Sequence, residues 1–139
     1  MKYLLDTNAA IRLMNDVKSP VSRQAHRHEP FDIGVSTIVL HELFYGAYKG
    51  ERTEWSIARI NALKLEIVDF DYRDAREAGE IRALLASSGK PIGPLDVLIA
   101  GQARARALTL VTHNVAEFKR VPRLHIVDWE RARGPRALD

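Results

Sequence analysis

The period of the hydrophobic positions changes several times along this chain, and each change marks an element. Tyr3–Leu5 is a short apolar run that gives way to Asp6-Thr7-Asn8 and then to a helical pattern over 9–15. The stretch 16–30 is polar, with Ser19-Pro20 opening a second short helix. A second strand runs over 32–36. Ser36-Thr37 then caps a helix reaching about Lys49, with Leu40, Leu43, Phe44 and Ala47 as its core face. An amphipathic helix over 51–64, a strand over 66–70 and a helix over 74–88 follow, and Gly89-Lys90-Pro91 breaks the last. From Pro94, tolerated in a first helical turn because its missing N–H has no partner there, a further helix carries Ala100, Ala103 and Ala107 at three- and four-residue steps from Asp96. That small-residue stripe allows close packing against a sheet. Runs over 108–111 and 124–127 complete five strands. Strands alternating with helices predict an α/β fold in which a mainly parallel five-stranded sheet is covered by helices.

A chain of 139 residues fits a single domain over 1–139 and buries roughly two-thirds of its unfolded surface. No apolar run approaches the length that spans a bilayer, and MKYLLDTN turns polar too soon for a signal peptide, so a cytoplasmic protein without membrane contact is expected. Residues 131–139 form an Arg-rich tail with little apolar content, expected to be loosely ordered. The absence of cysteine leaves carboxylate, histidine and amide side chains as the available metal ligands. His26 and His28 stand two apart, which points them to different sides of a helix and argues against a histidine pair.

Charge changes the picture through its distribution. The 21 basic and 18 acidic residues nearly balance, but gathering several carboxylates in one cleft leaves the rest of the chain more basic. Arginine, suited to gripping phosphate through two hydrogen bonds, outnumbers lysine. The balance permits a nucleic-acid partner without requiring one.

Four acids fall where ligands bind in parallel α/β sheets, at or near the carboxyl ends of strands. Asp6 follows the first strand, Glu42 lies on the helix after the second, Asp96 sits in the first turn of its helix, and Glu117 comes one helical turn beyond Asn114, after the fourth strand. Each also has an ordinary reading, as a helix cap or an exposed acid. Carboxylates that converge in a low-dielectric cleft repel one another strongly, so a convergent set implies a divalent cation, and all-oxygen ligation points to Mg²⁺ or Mn²⁺.

The segments LLDTN, HELFYGA, GPLDVLIAGQA and LVTHNVAEF, ending in IVDW, resemble the PIN-domain ribonucleases, and in particular the VapC toxins of type II toxin–antitoxin modules. The resemblance covers the chain from Lys2 to Trp129 and implies a PIN-like three-layer sandwich. It makes Asp6, Glu42 and Asp96 metal-binding acids, with Asn8, Ser36, Thr112 and Asn114 as supporting polar groups. Many PIN domains place an aspartate near the position of Asn114, whereas here the nearby acid is Glu117, which leaves open whether Glu117 meets the metal. The implied reaction is metal-dependent hydrolysis of RNA leaving a 5′-phosphate and a 3′-hydroxyl, with a metal-bound water as nucleophile.

Lys49, Arg52, Lys90, Arg104 and Arg106 are candidates for contacting RNA phosphates. His113 could contact the scissile phosphate or be plain polar surface. The resemblance also implies a transfer RNA among the substrates, a homodimer, and a cognate VapB-type antitoxin lying across the cleft, for which Phe44, Tyr45, Tyr48 and Trp55 could line an apolar groove, although Phe44 also reads as core. A phosphoryl-accepting receiver domain fits poorly, because Asp6-Thr7-Asn8 and Asp128-Trp129 stand where paired acids and a lysine belong. A non-catalytic nucleic-acid-binding or assembly module on the same fold is the other alternative.

Overall fold

The computed structural model describes residues 1–131; the rest of the expected tail lies outside the described residues. The five strands are β1 (Tyr3–Leu5), β2 (Ile33–Ser36), β3 (Glu66–Val68), β4 (Thr109–Val111) and β5 (Ile126–Val127). The helices are α1 (Thr7–Asn15), α2 (Pro20–Ala25), α3 (Thr37–Lys49), α4 (Thr53–Asn61), α5 (Tyr72–Ser87), α6 (Pro94–Ala105) and α7 (Val115–Phe118).

The strands form one sheet in the order β3-β2-β1-β4-β5, and every pairing is parallel. The chain steps outward from β1 through β2 to β3, then crosses back over the sheet to β4. Because such crossovers are right-handed, the reversal sends α1–α4 and α5–α6 to opposite faces. The same reversal leaves a crevice at the carboxyl ends of β1 and β4. Register places Leu5 beside both Val35 and Val111, so the chain leaves these strands at one level through Asp6, Ser36 and Thr112. All three are buried. The core between the layers is aliphatic, with Leu4, Leu5, Val35, Val39, Ile81, Ile99 and Leu110 all buried.

Local chemistry moves several element boundaries. The α5 helix starts at Tyr72 rather than Asp74, because Asp71 and Asp74 form a capping box, each carboxylate accepting from the other's backbone N–H at 3.1 and 2.9 Å. β3 stops at Val68, and the next two residues bond to side chains: Phe70 N–H donates to Thr37 Oγ1, and the Asp69 carbonyl accepts from Gln102 and Arg106. On α3 the fully buried stripe is Val39, Leu43 and Ala47, with Leu40 and Phe44 half-buried beside it.

The small-residue stripe of α6 ends early. Ala100 and Ala103 are buried, but Ala107 lies beyond the helix with φ 55° and is exposed. The closest approach is made instead by Gly101, where an added Cβ would fall 2.6 Å from the Cα and backbone N of Ala78 on α5. This contact sets how deeply the two longest-packed helices mesh, and so where the amino end of α6 comes to rest.

Candidate active site

Asp6 ends β1 and caps α1. Its Oδ1 accepts from Ala9 N–H at 2.8 Å, and its own N–H donates to the Val111 carbonyl at 3.0 Å, which ties the residue to β4. Only 5% of it is exposed. Burial raises its pKa, the nearby negative charge of Asp128 raises it further, and hydrogen bonds from the Thr112 hydroxyl and Ala9 N–H work in the opposite direction.

Asp96 stands in the first turn of α6, half-buried, where the helix dipole alone would favour its ionised form. The environment overrides that. Its pKa rises to about 6, first through burial, then through a hydrogen bond and charge repulsion from Glu117, and then through the charges of Asp6 and Glu42. Asp96 therefore senses all three of the other acids. Gly93 makes the arrangement possible, since a Cβ there would come within 2.9 Å of Asp96 Oδ2.

Glu117, on α7, is held in its ionised form. Gly93 N–H donates to Oε1 at 2.9 Å and Asn114 Nδ2 donates to Oε2 at 2.9 Å, and these two bonds lower its pKa. The sequence predicted no helix here; Asn114 and Glu117 face each other because α7 supplies one turn. Of the pair, Asp96 is therefore the later to ionise as the pH rises, its pKa raised while that of Glu117 is lowered.

The supporting groups divide by what their side chains bond. Thr112 joins Asp6 to the turn after β4, accepting from Asn114 N–H at 2.9 Å. The Ser36 hydroxyl accepts from Ile38 N–H at 3.0 Å and so serves as the cap of α3. Asn8 lies exposed in the first turn of α1. Asp128, which follows β5 just as Asp6 follows β1, adds a fifth acid near Asp6. Its position after a strand was the available sequence signal.

Among the described residues no three Asp, Glu or His side chains stand close enough to enclose a bare ion. The acids form a contacting pair, Asp96 and Glu117, with Asp6 and Glu42 acting on it through space. Mg²⁺ keeps several of its waters and takes one or two carboxylates directly, and this open, oxygen-only set fits an ion of that kind.

The structure corrects two of the five candidate RNA contacts. The Arg104 side chain is only 5% exposed and pairs with Glu77 and Glu80 of α5, while its Nη1 donates to the Pro122 carbonyl. Arg106 bonds Asp71, Asp74 and the Asp69 carbonyl. Both sit at the carboxyl end of α6, about 12 Å or more along the helix from Asp96, and both are paired with acids of α5 and its cap. Lys49, Arg52 and Lys90 are exposed. Arg52 lies over the Trp55 ring at 4.0 Å, and Arg59 approaches the same ring at 4.7 Å.

Next to Glu42, a groove of about 260 Å³ runs between α1, α3 and α4, lined by Ile11, Met14, Leu43, Trp55 and Ile60. Of the four aromatics expected there, Trp55 lines the groove, Tyr45 and Tyr48 are exposed on α3 without lining it, and Phe44 packs against the core.

Five parallel strands, a crevice at the point where their order reverses and an Asp96 repelled there by Glu117, Asp6 and Glu42 describe a nuclease-like fold, and comparison with known proteins agrees. The PIN domain matches residues 3–124. The tRNA(fMet)-specific endonuclease VapC of Salmonella typhimurium is 38% identical over 136 residues, covering 93% of this chain and 98% of that protein. Ribonuclease VapC2 of Rickettsia felis is 38% identical over 136 residues, covering 94% of this chain and 100% of its own. Among solved structures, the DNA-bound VapBC complex of Salmonella typhimurium contains a chain that superposes with a TM-score of 0.87 at 38% identity, over 93% of this chain and 98% of that one. This chain belongs to the PIN-domain family and, within it, to the VapC group.

Proposed function

We propose that this chain is the toxin of a type II toxin–antitoxin module, an endoribonuclease that hydrolyses RNA phosphodiesters with a divalent cation, Mg²⁺ or Mn²⁺, held among Asp6, Asp96 and Glu42. The observation that carries the metal is that Asp96 stands half-buried beside Glu117, with Asp6 and Glu42 also acting on it: burial first, and then these acids, raise its pKa to about 6. No ion pair of the described residues involves Asp6, Glu42, Asp96 or Glu117. Unrelieved repulsion of this kind is costly, and a bound cation converts it into attraction.

When bound, the ion supplies a water of lowered pKa and offsets the charge that develops on the phosphate. The side chains supply position. Asp96 would hold the ion as a carboxylate. Thr112 and Ala9 N–H hold the Asp6 carboxylate, while Gly93 N–H and Asn114 hold Glu117, so both acids face the cleft in one orientation. Glu117 stands ready to bind a metal-coordinated water or the metal itself. Attack of water on phosphorus leaves a 5′-phosphate and a 3′-hydroxyl. Lys49, Arg52 and Lys90 contribute positive charge for the RNA backbone.

The substrate is a transfer RNA, the class that the name of the Salmonella typhimurium relative specifies for that protein, and cleavage in the cytoplasm stops translation. A VapB-type antitoxin neutralises the enzyme by laying an apolar segment in the groove beside Glu42, where Trp55, Met14 and Ile60 provide anchoring surface. The test is to incubate antitoxin-free protein with total cellular RNA, with Mg²⁺ or with EDTA, beside the Asp96→Asn variant, and to map new 5′ ends by sequencing. Discrete cuts that need both the metal and Asp96 support the reading. An absence of cuts by folded, partner-free protein rejects it.

A further inference from the structure

Hydrolysis that ends in a 3′-hydroxyl must deliver a proton to the departing 3′-oxygen, because an alkoxide is a poor leaving group. Asp6, Glu117 and Asp128 accept hydrogen bonds from fixed donors, and Asp6, Glu42 and Asp96 are the proposed holders of the cation, so these acids do not meet this need. One side chain at the same edge of the sheet can donate. His113 follows β4 immediately after Thr112, the residue whose hydroxyl hydrogen-bonds Asp6. Its Nδ1 lies 3.0 Å from Asp128 Oδ2.

The two members of this pair differ sharply in exposure. The Asp128 side chain is 10% exposed and that of His113 is 63%. Asp128 is itself fixed, with Oδ1 accepting from Glu130 N–H at 2.9 Å, and the adjacent Trp129 is buried, stacked with His28 and in contact with Tyr3. A rigid acid therefore holds one nitrogen of a ring whose other nitrogen, Nε2, has no protein partner among the described residues. The dyad stands beside the acid cluster, since Asp6 senses the charges of both His113 and Asp128. A carboxylate bonded to one ring nitrogen sets the tautomer and orientation of an imidazole and leaves the opposite nitrogen to act.

We infer that His113 is a catalytic residue of the proposed nuclease, donating its Nε2 proton to the 3′-oxygen of the scissile bond, and that Asp128 is its positioning residue. The inference rests on the ribonuclease reading above. As water attacks phosphorus and gives up a proton to solvent, the bond from phosphorus to the 3′-oxygen breaks, and the leaving electron pair takes the proton from imidazolium Nε2. His113 becomes neutral and is reprotonated from solvent. Atoms and charge balance without a further reactant. Asp128, bonded at Nδ1, fixes the orientation of the ring from which the proton leaves.

The test uses an RNA hairpin copied from the anticodon stem-loop of initiator transfer RNA, or from the site mapped with total RNA if that differs. The hairpin is synthesised with either oxygen or sulfur as the 3′-bridging atom at the cleaved bond. A thiolate leaves without protonation, so loss of a proton donor harms only the oxygen substrate. His113→Gln, which keeps a hydrogen-bond donor but cannot transfer a proton, is expected to lower kcat on the oxygen substrate by about 10²- to 10⁴-fold with little change in KM. On the sulfur substrate it should stay within a few-fold of wild type. Asp128→Asn should show the same pattern at smaller amplitude. Equal losses on both substrates, a loss confined to KM, or no loss would overturn the proton-donor role. Wild-type protein that cuts neither hairpin nor any cellular RNA in Mg²⁺ would instead overturn the nuclease reading, and this inference with it.

Discussion

The two ends of α6 carry acids in opposite company. At its carboxyl end, Arg104 and Arg106 are matched against Glu77, Glu80, Asp71 and Asp74, with Gln102 donating to Asp74 at 3.2 Å as well. Asp74 is fully buried, yet its charge is satisfied on every side: Arg106 Nη2 at 3.0 Å, Arg106 Nε at 3.2 Å and the capping bond to Asp71 N–H. At the amino end, Asp96 meets Glu117 and is acted on by Asp6 and Glu42, and among the described residues no ion pair answers them. The same residue type is structural at one end and chemically poised at the other. What separates them is whether the fold supplies the counter-charge or leaves that to a ligand.

The contrast is broken most decisively by removing one charge at each end. Asp96→Asn keeps the shape of the side chain, and we expect it to reduce RNA cleavage at least 10³-fold while the protein remains folded; full activity in that variant would sink the metal-site reading. In EDTA at pH 7 the same variant should be more stable than wild type, because it removes repulsion. Asp74→Ala should do the reverse. It leaves Arg106 and Gln102 without their acceptor and is expected to cost about 3 to 5 kcal/mol in urea unfolding, while the folded fraction keeps its activity. Equal stability changes at both ends would erase the distinction.

A smaller effect is expected with pH. The carboxyl of Asp96 has its pKa raised in the folded protein to about 6, above its ordinary value near 3.8. Its contribution to stability is therefore fully present below about pH 4 and is lost as the pH rises through about 6. Urea midpoints measured in EDTA should fall across that window for wild type more than for Asp96→Asn, and millimolar Mg²⁺ should restore part of the loss at pH 7. A wild-type midpoint as flat as that of the variant would contradict the raised pKa. The smallest change concerns RNA grip. Arg52→Ala should weaken RNA binding severalfold and lower the salt dependence of binding by about one counterion, whereas Arg104→Ala should leave the salt dependence unchanged and reduce stability.

How much of this was legible before folding differs from element to element. The alternation of apolar runs with helical periods located all five strands and the helices α1 to α6, because burial on one or both faces leaves a period that survives in sequence. The one-turn α7 has no room for a period and was missed. The strand-end rule picked out Asp6 and Glu117, and the same rule applied to β5 would have picked out Asp128. Arg104 and Arg106 were misassigned because a basic residue looks the same whether it faces solvent or an acid from another helix. Their partners lie 24 to 35 positions away, and only the meshing of α5 with α6 brings them into range. Gly93 and Gly101 gave no signal of their own, since what each would clash with is known only once the chain is packed.

Sequence by itself determined which residues must be buried, where helices begin and which acids follow strands, since these depend on local patterning and on chain order. The tertiary structure decided which acids are answered. Crossing back from β3 to β4 brings α6 against α5 at one end and turns its other end toward β1, so that Asp74 acquires Arg106 while Asp96 acquires Glu117, Asp6 and Glu42. Coulomb energies fall steeply with distance and depend on the surrounding dielectric, and neither quantity exists for a residue until the chain has closed around it.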